Sequence, residues 1–418
     1  MSRNEYNLSI AEYRDETRND MHNYCSARKI FAVILCIAIC IIFIFAYHDE
    51  LNAMNPDEYG YISIESQLYS DLIFTASSYI NGQCVYYDDI SLPPEKDNVH
   101  VMYNLLNDAD KKVYDMFQNL VEHRDGENYT NGIIITTHQL DQLGSDYFWN
   151  IYDAFVYDHP EYFFLTLNPE MIHCRSFGIA NYKVFIYMMD AENLVESDQI
   201  AAFNSATDEF FSDINLSLPK EDVELAIHDK LISLVNYDYG LLDEMKTDCL
   251  VHDIGHTAYG ALVNKSAVCS GYCFAFEYLC QVAGIPCCIL TGDAEYISDE
   301  SSRQGTNGHS WNAVNLDGIW YEVDATWNDY EYDESMDYSI YEALRNESET
   351  FDNVIHHFYN KTTDEMEYLM ATDDTLFDLA GYLPFNAKKD SSHIRYTTMN
   401  GDADDRDAFR NRLIPLAF

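Results

Sequence analysis

Cys269, His309 and Asp324 are the side chains of this 418-residue sequence whose types and order suit thiol-based nucleophilic chemistry. Cys269 opens an amphipathic stretch that Gly284 and Pro286 bring to a stop, so the pattern predicts a helix with the sulfur at its N-terminus. Unpaired N–H groups and the positive end of the helix dipole favour a thiolate there, and the thiolate is the reactive form. A lone cysteine is more often a small buried apolar side chain. Cys273, Cys280, Cys287 and Cys288, on expected core faces, keep that reading. Cys269 is set apart by the stretch that follows, HSWNAVNLDGIWYEVDATWND from His309 to Asp329. Asp317-Gly318 is a two-residue hairpin turn. Folding the strands about it pairs Leu316 with Ile319, Trp311 with Asp324 and His309 with Thr326, leaving His309 and Asp324 diagonally adjacent on one face. The other face holds Val314, Leu316, Ile319, Tyr321, Val323 and Ala325, an apolar set suited to a core. A carboxylate at that spacing orients an imidazole, and with a cysteine at a helix start the set reads as a Cys-His-Asp triad. The Cys269 backbone N–H is the candidate oxyanion donor. Trp311, Trp327 and His256 are candidates for a substrate cleft, with packing or capping as the alternative.

Other chemistries find no support. Ser310 has Gly308 before it but Asn312 where a nucleophile elbow needs glycine. His356-His357 has no carboxylate at zincin spacing, and there is no CxxC pair, EF-hand loop or phosphate-binding loop, so neither a metal nor a cofactor is expected. His228-Asp229 reads as a local helix pair. With 24 Lys+Arg against 71 Asp+Glu the net charge is −47, which excludes a nucleic-acid binder, and 34 Tyr with 22 Phe exclude a solvated acidic coil. Eleven cysteines are too few for a disulfide scaffold.

The elements that must position these groups are mixed. Val113, Phe117, Leu120 and Val121 recur at helical spacing in a helix that starts near Asn107 or Asp108. Strands are expected at the IIITT run from Ile133 and at YKVFIYM from Tyr182, and a helix over Tyr147 to Tyr157. Ser217-Leu218-Pro219 starts another helix, with Ser217 as cap and an apolar face of Val223, Ile227, Leu231, Leu234 and Val235. Strands and helices without strict alternation indicate α+β. Upstream, Ile30 to Tyr47 is a charge-free apolar run preceded by Arg28 and Lys29 and followed by Asp49 and Glu50. It reads as a single transmembrane helix with the N-terminus cytoplasmic and the long C-terminal part outside, a cleaved signal peptide being the alternative. The organisation expected is a cytoplasmic segment 1–29, a span 30–47, a linker 48–95, an α+β subdomain 96–215, a catalytic domain 216–385 and a C-terminal tail 386–418.

VCSGYCFAFEYLCQVAGIPC and GHSWNAVNLDGIWYEVDATWND together resemble the transglutaminase-like superfamily, whose core is similar to papain-type cysteine proteases. AIHDKLISLVNYDY and HTAYGALVNKSAVC also fit, so the block runs from Ala226 to Tyr330, and DHPEYFFL at Asp158 resembles the region before this core in bacterial surface members. The resemblance implies a helix with an N-terminal cysteine packed on an antiparallel sheet. It implies Cys269 as nucleophile, His309 as general base and acid, and Asp324 as orienting carboxylate. Ser266 stands where glycine is common, and Cys273 where a small residue is usual; an inhibitory Cys269–Cys273 disulfide would require the helix to unwind. The expectation is a membrane-anchored extracytoplasmic acyl-transfer enzyme acting on protein or peptide amides, cell-wall peptide among them, as peptidase, amidase or transglutaminase. The rival is a non-catalytic adhesion or scaffolding module that binds peptide or cell-wall polymer.

Overall fold

The computed structural model describes residues 84–86, 98–122, 132–137, 147–167, 172–179, 182–189, 197–245, 253–296, 308–329, 355–369, 391–396 and 404–417. The expected span Ile30–Tyr47, the segment before it and nearly all of the 48–95 linker lie outside them. Among the described residues no helix is long and apolar enough to cross a membrane. Val85–Phe418 forms one compact unit.

The elements run β1 (Cys84–Tyr86), α1 (Val101–Leu105), α2 (Asp108–Glu122), β2 (Gly132–Thr137), α3 (Tyr147–Asp158), α4 (Phe163–Leu167), β3 (Ile172–Ile179), β4 (Tyr182–Met189), α5 (Ser197–Phe211) and α6 (Lys220–Leu234). They continue through β5 (Asn236–Tyr237), α7 (Tyr239–Met245), β6 (Ser266–Ala267), α8 (Cys269–Val282), β7 (Cys287–Tyr296), β8 (Gly308–Leu316) and β9 (Ile319–Val323). The last are α9 (Ala325–Asn328), α10 (Thr363–Glu367), β10 (Ser391–Arg395) and α11 (Asp404–Leu413). Helix α2 buries Val113, Phe117, Leu120 and Val121, as their spacing requires. Helix α6 buries Val223, Ile227 and Leu231, but its expected Ser217 cap does not form: Pro219 occupies the N-cap and supplies no side-chain bond.

The sheet that carries the site is antiparallel throughout, in the order β10-β7-β8-β9. Helix α8 covers one face, with Tyr272, Phe276 and Leu279 in one core with Ile289, Val314, Leu316 and Val323. The opposite face is covered too: Leu290, Trp311 and Ala313 pack with Phe358, Met366 and Ile414. A sheet buried on both faces loses the apolar/polar alternation of a one-sided sheet. The expected division into an apolar and a polar hairpin face is therefore corrected, and Ile319, placed in the core by that pattern, is 48% exposed at the turn.

Two boundaries are also corrected. Within the stretch 386–418, expected to be a loosely held tail, the described residues 391–396 and 404–417 are tied to the sheet. Strand β10 pairs with β7 from Ser391↔Tyr296 to Arg395↔Gly292. The approach is close enough that a Cβ on Gly292 would sit 2.1 Å from the Ile394 carbonyl oxygen. Asn411 Nδ2 of α11 donates to the Thr291 carbonyl at 2.6 Å. Nor does the chain divide at 215/216 into separate cores, because Phe155 and Phe163 belong to the same apolar cluster as Tyr272 and Phe274.

The second core is pinned by a buried polar knot. Glu322 Oε1 accepts from Arg395 Nη2 at 2.6 Å and from Thr363 Oγ1 at 2.6 Å, while its Oε2 accepts from Trp311 Nε1 at 2.6 Å. Removing one partner of a buried pair strands the other charge at a cost of about 3–5 kcal/mol, whereas replacing both by apolar groups is often neutral. Arg395→Met is expected to lower unfolding free energy by about that amount in urea titrations, and the double variant Arg395→Met/Glu322→Leu to recover most of it. Equal destabilisation in the two variants would contradict this.

Candidate active site

Helix α8 begins at Cys269 because Val268 before it is extended (φ −96°, ψ −179°) and the first intrahelical bond runs from Tyr272 N–H to the Val268 carbonyl. The Cys269 amide precedes that ladder, which leaves it outside the i→i−4 pattern. The other end stops as the glycine and proline predict: Gly284 takes φ +73°, and Ile285 N–H returns to the Cys280 carbonyl at 2.8 Å. Gly271 allows the 254–256 turn to lie against the start of the helix, since a Cβ there would meet the Gly255 carbonyl oxygen at 2.3 Å. The helix is tied to the sheet through Asn312, whose Nδ2 donates to the Cys273 carbonyl at 3.1 Å. It is tied to the segment after α9 through Tyr272 Oη, which donates to Asp329 Oδ2 at 2.5 Å.

The hairpin closes at Asp317-Gly318, both with positive φ, and pairs Leu316 with Ile319 as expected. The ladder ends at Asn312↔Val323, so the expected pairs Trp311–Asp324 and His309–Thr326 do not form. Asp324 instead caps α9: its Oδ1 accepts from Trp327 N–H at 3.0 Å, and its own N–H donates to the Phe358 carbonyl at 2.9 Å. The turn into helix swings the carboxylate toward the start of β8, where Oδ2 accepts from His309 Nε2 at 2.7 Å. Sequence reasoning thus reached the right neighbours through the wrong backbone, a ladder pair in place of a helix cap.

His309 is the neighbour that most lowers the Cys269 thiol, and with Nε2 committed to Asp324 the nitrogen left to face the sulfur is Nδ1. Burial alone would raise the Cys269 thiol. The bond from His309, the imidazolium charge and the Ser310 amide outweigh burial, and the net shift is below the ordinary thiol value. Burial alone would lower His309, but the Asp324 charge and bond, with smaller contributions from Cys269, push it up to about 10. Asp324 is fully buried, yet the His309 charge and bonds from two histidines hold it well below the usual carboxylate range. The shifts favour a thiolate beside an imidazolium backed by a carboxylate, a nucleophile with an acid next to it.

The remaining sequence candidates separate. Trp311 does not line a cleft: it is completely buried, and its indole N–H is held by Glu322 behind His309. Trp327 is half-buried, with its ring 5.2 Å from that of His309. His256 is half-buried and bonds Ser270 Oγ through Nδ1 at 2.9 Å, next to the nucleophile position. Cys273 is buried and free, its thiol raised by burial and by the charge at Cys269, and the helix is intact between the two sulfurs.

His393 was not found from the sequence, and the His228-Asp229 pair, expected to bond locally, does so but also reaches beyond its helix. His393 of β10 donates from Nε2 to the same Asp324 Oδ2 at 2.8 Å. His228 is fully buried and bonds Asp229 through Nδ1 at 2.9 Å and Asn328 Nδ2 through Nε2 at 2.9 Å. Both groups place a His-Asp-His set at distances a metal could use. In the second set, however, Asn328 Oδ1 is taken by the Phe358 amide, so its Nδ2 must donate to His228 Nε2. That fixes the His228 proton on Nδ1, facing Asp229; a cation at Nδ1 would turn Nε2 into a donor against another donor. His228 thus supports Asn328, and Asn328 supports the turn that carries Asp324.

This is an α+β protein that brings a helix-borne cysteine beside a strand-borne histidine hydrogen-bonded to a capping aspartate. Residues 213–325, which contain all three, match the family model for the Transglutaminase-like superfamily, the family that the motif block resembles. Over 61 residues the chain is 39% identical to kyphoscoliosis peptidase of Mus musculus and 38% identical to that of Homo sapiens. The match covers 14% of this chain and only 9% of each relative's length. Among solved structures the chain is similar to a TGase at 13% identity and a TM-score of 0.26, over 56% of this chain and 62% of that one.

The shifts fix how Asp324 contributes to stability with pH. A carboxylate depressed in the folded state stabilises above its unfolded value near 3.9, and that contribution is lost as pH falls below it. A histidine raised to about 10 stabilises fully below its unfolded value near 6.5 and loses this as pH rises toward about 10. The cost of Asp324→Asn, measured as a shift in unfolding free energy, is expected to be greatest near pH 5–6 and to shrink in both directions. A cost flat from pH 3 to pH 10 would contradict the assignment.

Proposed function

We propose that this chain is a cysteine-dependent acyl-transfer enzyme acting on protein or peptide amides, as a peptidase, amidase or transglutaminase. The observation that carries the reading is the His309–Asp324 hydrogen bond set beside Cys269, with the thiol lowered and the imidazole raised by their neighbours. In the first half-reaction the Cys269 thiolate attacks the amide carbonyl. The oxyanion is held by the Cys269 backbone N–H at the helix start. As the C–N bond breaks with its electron pair going to nitrogen, His309 gives the Nδ1 proton to the leaving amine, and a thioester remains. In the second half-reaction water or a lysine amine attacks the thioester. His309 takes the nucleophile's proton, and the thiolate leaves. Asp324 keeps the imidazole oriented and offsets its charge throughout. Trp327 and His256, half-buried beside His309 and Ser270, are the residues we assign to substrate contact.

We further propose that the catalytic unit is held outside the cell by a single span, Ile30–Tyr47. This rests on that run's length and on the Arg28-Lys29 flank opposite Asp49 and Glu50. An ectodomain carrying the whole −47 would favour basic peptides or cationic partners over anionic polymers.

The test is an amide-substrate screen with wild-type protein and Cys269→Ala. Wild type is expected to release amine from glutamine peptides or cleave peptide bonds. Cys269→Ala and His309→Ala should each lose on the order of 10³-fold or more in kcat, and Asp324→Asn a comparable amount. Incorporation of a fluorescent amine assigns transfer, and release without incorporation assigns hydrolysis. Turnover unchanged by Cys269→Ala, or binding of peptides without turnover, would leave a non-catalytic binding module.

A further inference from the structure

The Asp324 carboxylate serves two histidines, and only one of them faces the cysteine. His393 enters from β10, remote in sequence from the hairpin, and reaches Asp324 Oδ2 at 2.8 Å, the oxygen that His309 Nε2 occupies at 2.7 Å. A carboxylate oxygen only accepts, so the His393 proton sits on Nε2 and its Nδ1 is a bare lone pair. That nitrogen is buried with no hydrogen-bond partner. An unpaired buried acceptor is unfavourable, so the histidine is held there against a local penalty. Its surroundings are the rings of Trp311, Trp327 and Phe358 at 4.6–5.4 Å. The charged or titratable groups around it are Asp324, His309 and Glu322, the last already matched by Arg395.

We propose that His393 is a positioning residue for the acyl-transfer reaction: by donating to Asp324 Oδ2 it limits how tightly that carboxylate holds the His309 imidazolium, so that His309 releases its proton to the leaving amine. This rests on the function proposed above. Before proton transfer, Asp324 carries one negative charge and accepts from three N–H groups, those of His309, His393 and Trp327. After transfer, His309 is neutral and keeps its Nε2 proton on Asp324. The carboxylate then faces less positive charge, and the His393 bond remains to stabilise it. The pair states before and after transfer are thereby brought closer in energy. Without His393, Asp324 is the stronger base and the better trap for the imidazolium.

Iodoacetamide alkylation of Cys269, followed by mass spectrometry of its peptide as a function of pH, tests this without any substrate. The wild-type profile should show thiolate reactivity well below an ordinary thiol's range and an upper inflection where His309 loses its proton. His393→Phe is expected to move the upper inflection upward by about half a pH unit or more, and His393→Gln, which keeps an N–H donor, to restore it. If amide turnover is found, His393→Phe should lower kcat for amides about tenfold more than for activated esters, whose leaving groups need no proton. An upper inflection that His393→Phe leaves in place overturns the inference while the function stands. A wild-type Cys269 that titrates as an ordinary thiol overturns the function itself. If His393→Phe does not fold, the ring 15N shifts of wild-type His393 decide: Nε2 protonated with Nδ1 bare agrees, and the opposite tautomer overturns the inference.

Discussion

A single buried carboxylate organises the site. Asp324 has no exposed surface, and a charge in that position is tolerable only when several donors converge on it. It has them from three directions: His309 from β8, His393 from β10 and the Trp327 amide from its own helix turn. Each donor fixes an element. The sheet order β10-β7-β8-β9 sets the two histidine-bearing strands on either side of β7, so one carboxylate bridges strands that are not neighbours. The thiolate is the far end of the same charge arrangement. It is stabilised by an imidazolium that would not hold its proton in so buried a place without Asp324.

The outer supports follow from that requirement. Asp324 sits where β9 gives way to α9, and the turn is held by its N–H on the Phe358 carbonyl and by Asn328 on the Phe358 amide. Asn328 in turn is aimed by His228, and His228 by Asp229. The helix that presents Cys269 is fixed independently, by Asn312 on the Cys273 carbonyl and Tyr272 on Asp329. The described residues 355–369 and 391–396 therefore form part of the site's scaffold. Their polar knot at Glu322 and Arg395 lies directly behind His309.

Much of this was legible in the sequence where local rules apply. The helix start at Cys269, its stop at Gly284 and the Asp317-Gly318 turn are short-range signals, and each appears where the residues put it. That His309 and Asp324 are neighbours was also readable, because they lie at the two ends of one short hairpin, although Asp324 caps the helix that follows it. What was not legible depends on long-range pairing. SSHIR puts Ser391, His393 and Arg395 inward and leaves Ile394 48% exposed, the inverse of the usual pattern. Polar residues face the core there because Asp324 and Glu322 wait for them, and nothing local announces those partners. Trp311 stayed open between cleft wall and packing for a related reason: only the second layer of Phe358 and Met366 that covers it decides for packing.

The most direct test is the ultraviolet absorbance of the Cys269 thiolate, taken as the difference between wild-type protein and Cys269→Ala over a pH titration. A thiolate signal that appears at lower pH than the value of about 8.5 for a free cysteine is the predicted result. A signal that appears only around 8.5 or above would mean that His309 and Asp324 do not hold the sulfur ionised, and the ion pair at the centre of the site would have to be abandoned.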